Sequence, residues 1–264
     1  MTDTQATTRK LGAALSLRVD GPVHWLTLDR PASLNAIDQE MTAGLDAYFT
    51  ERLHDSQTRI VVMRGAGGHF CSGADIKGFS GDFTTTIGGD WMLRDVIRNM
   101  RACPQPIIAV LEGAVAGGGM AFALAADVRI AATTMKMNAA FISVGLSGAE
   151  LGVSWHLPRA VGSSVANELM MTGRPIGAER ALATGLVSEV WAEDELGAAA
   201  ERMVRDMLRA NPEGLRLTKR TVDAARSVGS LEAAMELEER AQLRCFASAE
   251  FRAAVEAFLK RKKK

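Results

Sequence analysis

Short runs of apolar residues alternate along the first three quarters of the chain with longer segments that place apolar residues at helical spacing. The runs have the length and β-branched content of buried strands, and the intervening segments are long enough for helices. Strands are predicted over Leu15–Val19, Val23–Leu28, Ile60–Arg64, Ile107–Leu111, Val128–Ala131 and Val187–Val190. Strands that alternate with helices are typical of a parallel sheet, so the pattern predicts an α/β core.

Local signals place the turns and helix starts between these strands. The Asp20-Gly21-Pro22 turn joins the first two strands as a hairpin. Asp38 is predicted to cap a helix that runs to about Leu53, and a second helix is predicted over Asp90–Arg101.

The pattern becomes helical from about Glu193 onward. Asn211 followed by Pro212 is typical of an N-cap with proline at the first helical position. We therefore predict a core over residues 11–200 and a helical region over residues 201–264 that packs on the core or on a neighbouring subunit. Residues 1–10 are polar, lack the apolar segment of a signal peptide, and are expected to be disordered.

The composition of the chain argues against nucleic acid, a membrane or a zinc ion as its partner. Of the 264 residues, 31 are basic and 31 acidic, so no global field attracts nucleic acid or an acidic membrane. The longest uncharged apolar run, Gly113–Ala126, is too short to span a bilayer. The three cysteines form no CxxC pair, which argues against a disulfide framework or a zinc site and favours a cytoplasmic protein.

Two glycine-rich loops follow two of the predicted strands. One runs from Gly65 to Asp75, and the other contains the triplet Gly117–Gly119. A glycine loop that opens a helix leaves free N–H groups at the positive end of the helix dipole. Two such loops on adjacent strands can aim two amides at one oxygen, as an oxyanion hole does. Alternatively, these glycines serve only tight turns and close packing.

Other glycine motifs are excluded by their spacing. The first loop lacks the last glycine of a dinucleotide fingerprint, and the chain contains no Gly-Lys pair for a Walker loop. It also contains no GxSxG nucleophile elbow and no HExxH metal motif.

At these loops the sequence resembles the enoyl-CoA hydratase/isomerase (crotonase) superfamily, from about Leu15 to Lys263. Seven segments carry the resemblance, and their order and spacing are specific to it: Leu28–Pro31 with Leu34–Ala36, Phe70–Lys77, Gly117–Gly119 with Ala125–Asp127, Leu157–Gly162, Thr172–Arg174, Gly185–Val187 and Ala257–Arg261.

The resemblance implies an α/β spiral of ββα turns and a helical C-terminal trimerisation region, with homo-trimers that often pair into hexamers. It implies an acyl-CoA substrate, with coenzyme A carried as part of that substrate and no separate cofactor or metal. The oxyanion hole is expected at the N–H groups of Ala74 and Gly118. The coenzyme A site is expected to involve Ala32, Leu34, Ala74, Asp75, Ile76, Lys77 and Gly118, with Phe258 and Arg261 reaching it from a neighbouring subunit.

Both glutamates of the hydratases that this chain resembles are replaced. The position two residues beyond the glycine triplet is Ala121, and the second position is Phe141. Methyl and phenyl groups cannot transfer protons, so two-glutamate hydration is not expected.

One carboxylate remains near these positions. Allowing one inserted residue, Glu150 falls where dienoyl-CoA isomerases of the superfamily carry a catalytic aspartate. We therefore favour a double-bond shift with Glu150 as the base. Alternatively, Glu150 caps the helix that begins near Leu151 or pairs with an arginine.

Further candidates are weaker. His69 and His156 are expected to be loop or helix-surface residues, and Cys71 a small buried packing residue. One of Asp90, Arg94 and Asp95 could supply a proton, because this segment often covers the acyl pocket in the superfamily. The rival functions are hydration by a different acid and base, or acyl-CoA binding without catalysis.

Overall fold

Most of the predicted strands lie in one seven-stranded sheet. The structure is a computed structural model that describes residues 6–76 and 93–261. The strands are β1 (Thr7–Lys10), β2 (Leu15–Asp20), β3 (Val23–Leu28), β4 (Ile60–Gly65), β5 (Ile107–Leu111), β7 (Val128–Ala132) and β10 (Glu189–Trp191), in that order across the sheet. Strands β1, β2 and β3 pair in the antiparallel direction, and β3, β4, β5, β7 and β10 are parallel to one another. The predicted parallel core and hairpin are confirmed.

A second, three-stranded sheet consists of β6 (Ala114–Ala116), β8 (Lys136–Asn138) and β9 (Ile176–Gly177). Strand β6 follows β5, and β8 follows β7, so each of these turns contributes one strand to each sheet. Strands β6 and β8 are parallel, and β9 joins β8 in the antiparallel direction. This arrangement is a spiral of ββα turns.

Helices cover both faces of the large sheet. They are α1 (Gln39–Arg52), α2 (Leu93–Ala102), α3 (Gly118–Ala125), α4 (Val153–Val161), α5 (Ser163–Thr172), α6 (Ala178–Ala183) and α7 (Glu193–Leu208), with two short 3-10 helices at Pro31–Ser33 and Ala140–Val144. Alternate residues of β4 separate the two cores: Val61 and Met63 face α1, α2 and α3, whereas Ile60 and Val62 face α7. The Asp38 side chain caps α1 by accepting the Met41 N–H at 2.8 Å, as predicted.

Three terminal helices follow: α8 (Pro212–Ala225), α9 (Leu231–Phe246) and α10 (Ala249–Arg261). The Asn211 side chain accepts the N–H groups of Glu213 and Gly214, so the predicted cap is confirmed. The boundary expected after residue 200 falls inside α7, whose apolar face is buried on the sheet at Leu196 and Val204.

Two local expectations differ from the structure. Thr7–Lys10, expected to be disordered, pairs with β2 from Thr7 opposite Val19 to Lys10 opposite Ser16, because main-chain hydrogen bonds need no apolar side chains. The strand predicted over Val187–Val190 begins at Glu189. Val187 instead belongs to the turn that ends α6, where its N–H donates to the Ala181 carbonyl at 3.3 Å and Gly185 lies in the left-handed region.

Candidate active site

Asn35 connects the segments that form the first glycine loop. It is fully buried, and its φ of 56° lies in the left-handed region that asparagine tolerates better than most residues. Its Nδ2 donates to the carbonyls of Ala66 and His69 at 2.8 and 2.7 Å, and its Oδ1 accepts the Arg30 N–H at 2.9 Å. One side chain therefore fixes three stretches of backbone around the loop.

The Ala74 N–H points away from the chain segment that pairs with it. Ile37 and Ala74 form a parallel bridge in which the Ile37 N–H donates to the Gly73 carbonyl and the Asp75 N–H donates to the Ile37 carbonyl. Successive N–H groups of an extended chain point to opposite edges, so the Ala74 N–H faces the other edge. The second glycine loop lies there, since Cys71 pairs with Val115 on that side.

Gly117 turns the second loop into helix α3. Its φ of 52° and ψ of −116° form a conformation that is open to glycine and strained for other residues. Its N–H donates to the Asn138 carbonyl at 3.1 Å, and Gly118 is the first residue of the helix. The Gly118 N–H is thus one of the groups that an α-helix leaves unpaired at its positive end.

The two loops contact each other at their glycines. A β-carbon on Gly117 would lie 3.8 Å from the Gly73 Cα, and a β-carbon on Gly73 would lie 3.0 Å from the Ala116 carbonyl oxygen. The residues that follow these glycines are Ala74 and Gly118. Within residues 6–76 and 93–261, neither the Ala74 N–H nor the Gly118 N–H has a hydrogen-bond partner. Two unpaired donors therefore lie on neighbouring loops.

The walls beside these donors are apolar. A β-carbon on Gly118 would lie 2.6 Å from Ile37 Cδ1 and 4.0 Å from Leu151 Cδ1, and one on Gly117 would lie 3.7 Å from Phe141 Cε1. Phe141 is buried in the 3-10 helix Ala140–Val144, and Ala121 is buried in α3. The positions of the missing glutamates are thus occupied by packed apolar groups.

Glu150 lies one residue from this wall. It is half-buried in the loop before α4, next to Leu151, which is buried and has a φ of 51°. No side chain caps α4, whose N-cap is Gly152. In the described parts of the chain the Glu150 carboxylate has no ion-pair or hydrogen-bond partner, so neither the capping role nor the arginine pair is observed.

Comparison with known proteins shows the family. A model of the enoyl-CoA hydratase/isomerase family matches residues 19–264.

The chain belongs to the enoyl-CoA hydratase/isomerase family.

Two curated relatives illustrate its range. The chain is 39% identical over 227 residues to a probable enoyl-CoA hydratase, echA12, of Mycobacterium leprae. The matched segment covers 83% of this chain and 77% of that protein. It is 31% identical over 246 residues to 1,2-epoxyphenylacetyl-CoA isomerase of Escherichia coli, which covers 91% of this chain and 93% of that protein.

Solved structures agree on the fold. The putative enoyl-CoA hydratase of Streptomyces coelicolor superposes with a TM-score of 0.90 at 32% identity, over 99% of this chain and 96% of that one. The predicted crotonase-like fold is therefore confirmed, and the chain is an enzyme of the hydratase/isomerase family.

Arg30 ties the end of the first glycine loop to the segment before α1. Its Nη2 donates to Asp75 at 2.9 Å, its Nε lies 3.0 Å from the Asp38 carboxylate, and it also donates to the Ala36 carbonyl. Asp75, predicted to line the coenzyme A site, thus holds the loop. This role of Arg30 could not be predicted from local sequence, because its partner Asp75 is 45 residues away.

The apolar members of the predicted coenzyme A site are exposed beside this loop. Leu34 is 42% exposed and Ile76 is 63% exposed, and the Ser72 N–H donates to the Leu34 carbonyl at 3.0 Å. Ala32 is exposed in the 3-10 helix Pro31–Ser33. Lys77 and Asp90 lie outside the described residues.

The remaining candidates occupy different places. Phe258 is exposed on the last helix, α10, and Arg261 ends that helix, with its side chain outside the described part. Arg94 and Asp95 lie in the first turn of α2 as described.

His69, His156 and Cys71 have local surroundings that explain them. His69 Nδ1 accepts the Ala114 N–H at 3.1 Å and so joins the two glycine loops. His156 is half-buried on α4, and burial, with Arg101 and Arg226 nearby, lowers its pKa to about 4. Cys71 is fully buried, and burial raises the pKa of its thiol to about 12, which suits a packing residue.

The described residues contain no group of three or more histidine, cysteine, aspartate or glutamate side chains that could hold a metal ion. None of the helices described has both the length and the apolar content needed to cross a membrane.

Proposed function

We propose that this enzyme holds the thioester oxygen of an enoyl-CoA between the N–H groups of Ala74 and Gly118 and shifts the double bond with Glu150 as the base. The observation that carries the proposal is the pair of unpaired amides on two touching loops. An unpaired N–H inside a packed region is costly unless a ligand accepts from it. Donors fixed in this way stabilise a charge that develops in the transition state.

The proposed step is balanced without any further reactant. The Glu150 carboxylate removes a proton from the γ carbon, and the electron pair of that C–H bond enters the conjugated system. Negative charge then collects on the thioester oxygen, where the Ala74 and Gly118 amides stabilise it. The Glu150 carboxylic acid returns the proton to the α carbon, so the double bond moves and the composition of the substrate is unchanged.

The apolar wall favours this shift over hydration. Addition of water needs a polar group that orients and deprotonates it. Phe141, Ala121, Ile37 and Leu151 supply no such group beside the amides. Glu150 is the carboxylate next to this wall, and its lack of a described partner leaves it available to the substrate.

The coenzyme A moiety is proposed to lie along the exposed loop beside Arg30. Leu34 and Ile76 offer apolar surface there, and Lys77 follows directly in the sequence. Phe258 and Arg261 are proposed to reach coenzyme A from a neighbouring subunit, in a homo-trimer or a hexamer of two trimers.

The test compares Glu150→Gln with Glu112→Gln on a panel of enoyl-CoA and dienoyl-CoA thioesters. Glu112 is a matched control because it is also a half-buried glutamate, and burial raises its pKa. We expect Glu150→Gln to lower kcat by about a hundredfold to ten-thousandfold with KM little changed, and Glu112→Gln to leave both unchanged. Unaltered turnover in Glu150→Gln would remove Glu150 from the mechanism.

Product analysis separates the rival functions. A shifted double bond keeps the mass of the substrate, whereas hydration adds one water. Calorimetry of each thioester measures binding independently of turnover. Tight binding without any product would favour the non-catalytic acyl-CoA-binding alternative, which the replacement of both hydratase glutamates by Ala121 and Phe141 supports.

A further inference from the structure

Helix α3 carries the proposed Gly118 donor at one end and is buried along its whole length. All eight residues are buried, and five of them are glycine or alanine. A helix of this length spans about 12 Å, so a small tilt at one end moves the other. Small side chains allow close packing, as at Gly119, where a β-carbon would lie 2.7 Å from Cys71 Cβ, so a shift of the helix would be felt at the Gly118 donor.

The other end of α3 is held by two arginines. Arg129 Nη1 donates to the carbonyls of Ala123 and Ala126 at 3.2 and 2.8 Å, and Arg101 Nη1 donates to the Ala125 carbonyl at 2.8 Å. These carbonyls are among the groups that a helix leaves unpaired at its C-terminal end. Two cations therefore lie at the negative end of the helix dipole, where they are most favourable.

The contacts of Arg129 are concentrated at this end of the helix. Its Nε donates to the Leu186 carbonyl at 2.8 Å, so all its described partners are carbonyl oxygens, and in the described chain it forms no ion pair. Burial lowers the pKa of its guanidinium to about 10, while Asp127 opposes that shift. Arg129 is half-buried, and a cation in this position without an ion-paired carboxylate is costly, so the negative end of the helix dipole helps to compensate it.

We call Arg129 and Arg101 together the arginine clamp. Arg101 also connects this clamp to the C-terminal helices. Its Nη1 also lies 2.9 Å from Asp127 Oδ1, and its Nη2 lies 2.6 Å from Asp223 Oδ1 on α8. Lys219, also on α8 and buried, lies 3.0 Å from Asp127 Oδ2. The end of α3 is thus tied to α8 by side chains that are themselves fixed.

We propose that Arg129 and Arg101 are positioning residues, which hold the C-terminal end of α3 and thereby set where the Gly118 N–H points at the thioester oxygen of an acyl-CoA. This inference rests on the proposed function. The two guanidinium groups also add positive potential along α3, in the direction that favours the enolate. They touch neither substrate nor reacting atoms.

A matched control exists elsewhere in the chain. Arg59 Nη2 donates to the carbonyls of Leu208 and Ala210 at 3.0 and 2.7 Å, so Arg59 also caps the end of a helix, α7. That helix supplies no residue to the proposed site. Arg59→Met therefore removes a helix-end arginine without touching α3, and any effect it has on stability calibrates the purely structural contribution.

The experiment compares Arg129→Met, Arg129→Lys and Arg59→Met. Each variant is measured for its unfolding temperature, for kcat and KM on a thioester that the wild type converts, and for the absorption spectrum of bound cinnamoyl-CoA. Hydrogen bonds to the thioester oxygen polarise this conjugated acyl group and shift its absorption to longer wavelength.

We expect Arg129→Met to lower kcat by about tenfold to a hundredfold with KM little changed, and to reduce the red shift. Arg129→Lys keeps the charge and should restore part of both. Arg59→Met should lower the unfolding temperature and leave kcat and the red shift unchanged.

The outcomes are separable. A wild-type red shift that is fully retained in Arg129→Met overturns this inference and leaves the proposed function standing. If the wild type itself shows neither a red shift nor turnover, the proposed function fails and this inference fails with it. If Arg129→Met does not fold, Arg129→Lys decides: an unchanged kcat and spectrum there also overturn the inference.

Discussion

Helices α3 and α9 lie at opposite extremes of burial within one chain. All eight residues of α3 are buried and uncharged, and its two ends meet the proposed site and the arginine clamp. Helix α9 has sixteen residues and none of them is buried; Leu231, Leu243 and Met235 are more than half exposed. Within the described part of the chain, the helix that begins at the Gly118 donor is therefore enclosed, whereas the apolar side chains of α9 remain exposed.

Substitutions in the two helices should therefore affect different properties of the protein. Changes in α3 alter packing inside one chain, so they affect folding and the proposed donor together. Changes in α9 alter apolar side chains that the described residues leave exposed, and clustered exposed apolar side chains are typical of interaction sites. Since the proposed partner is a second copy of this chain, α9 should govern assembly. Three substitutions test this separation, beginning with the strongest.

The largest effect is expected from Gly119→Ala in α3. A β-carbon on Gly119 would lie 2.7 Å from Cys71 Cβ and would also overlap the Cys71 carbonyl oxygen, which is backbone and cannot move aside easily. We expect a loss of about 3 kcal/mol of stability and a large loss of kcat, because α3 must shift to make room. Chemical denaturation and steady-state kinetics measure the two quantities.

The control for this change is Gly197→Ala in α7. Gly197 is exposed within a helix, and a β-carbon there would have nothing within 4 Å. Alanine should therefore stabilise the protein by up to about 1 kcal/mol through helix propensity. If both substitutions changed the free energy of unfolding in the same direction, tight packing of α3 on Cys71 would not explain the result.

The contrast between α3 and α9 also shows how far sequence patterns reach. The strands, the hairpin and the caps at Asp38 and Asn211 were predictable because each depends on residues a few positions apart. The two glycine loops were located by their composition. Their contact at Gly73 and Gly117 was not, because it depends on how β4, β5 and β6 are arranged in space.

Side-chain contacts between residues far apart in the sequence could not be predicted from the hydrophobic pattern. Asn35 bonds to backbone 31 and 34 residues away, and Arg101 reaches Asp223 across 122 residues. Nothing in the local sequence distinguishes such residues from surface ones. Val187 was ambiguous for a different reason: a β-branched apolar residue fits a strand as well as the helix-end turn in which it lies.

A smaller effect is expected from Leu243→Glu in α9. Leu243 is 60% exposed in the single chain, so a charge there should cost the folded chain little. At an interface between copies, the same charge should weaken association by about 2 kcal/mol or more. Light scattering over a dilution series measures the assembly, and calorimetry measures the stability of the chain.

Leu243→Met is the matched control, because it preserves an apolar side chain of similar volume. We expect it to keep the assembly of the wild type. If Leu243→Glu had the same molar mass as the wild type at every concentration, α9 would not be part of the subunit interface, and the exposed apolar side chains would need another partner.

The smallest effect is expected for His156, which lies on α4. It lies near the charged cluster of Arg101, Asp127, Lys219 and Asp223 that joins the core to α8. Its ring packs against Gly152, and burial, Arg101, Arg226 and Arg129 together lower its pKa to about 4. In the unfolded chain the pKa is near 6.5, so below that pH the unfolded chain binds a proton that the folded one does not. Stability must therefore fall as pH drops from about 6.5 toward 4.

His156→Gln removes this titration, so the variant should lose less stability than the wild type between pH 7 and pH 5, by about 1 kcal/mol. Denaturant unfolding at several pH values measures the difference. His54 is exposed, and His54→Gln supplies the control for loss of a histidine. An identical pH dependence in His156→Gln and wild type would mean that burial and the nearby arginines do not lower the pKa of the His156 ring. The cluster that joins the core to α8 would then be less tightly coupled to α4 than the packing indicates.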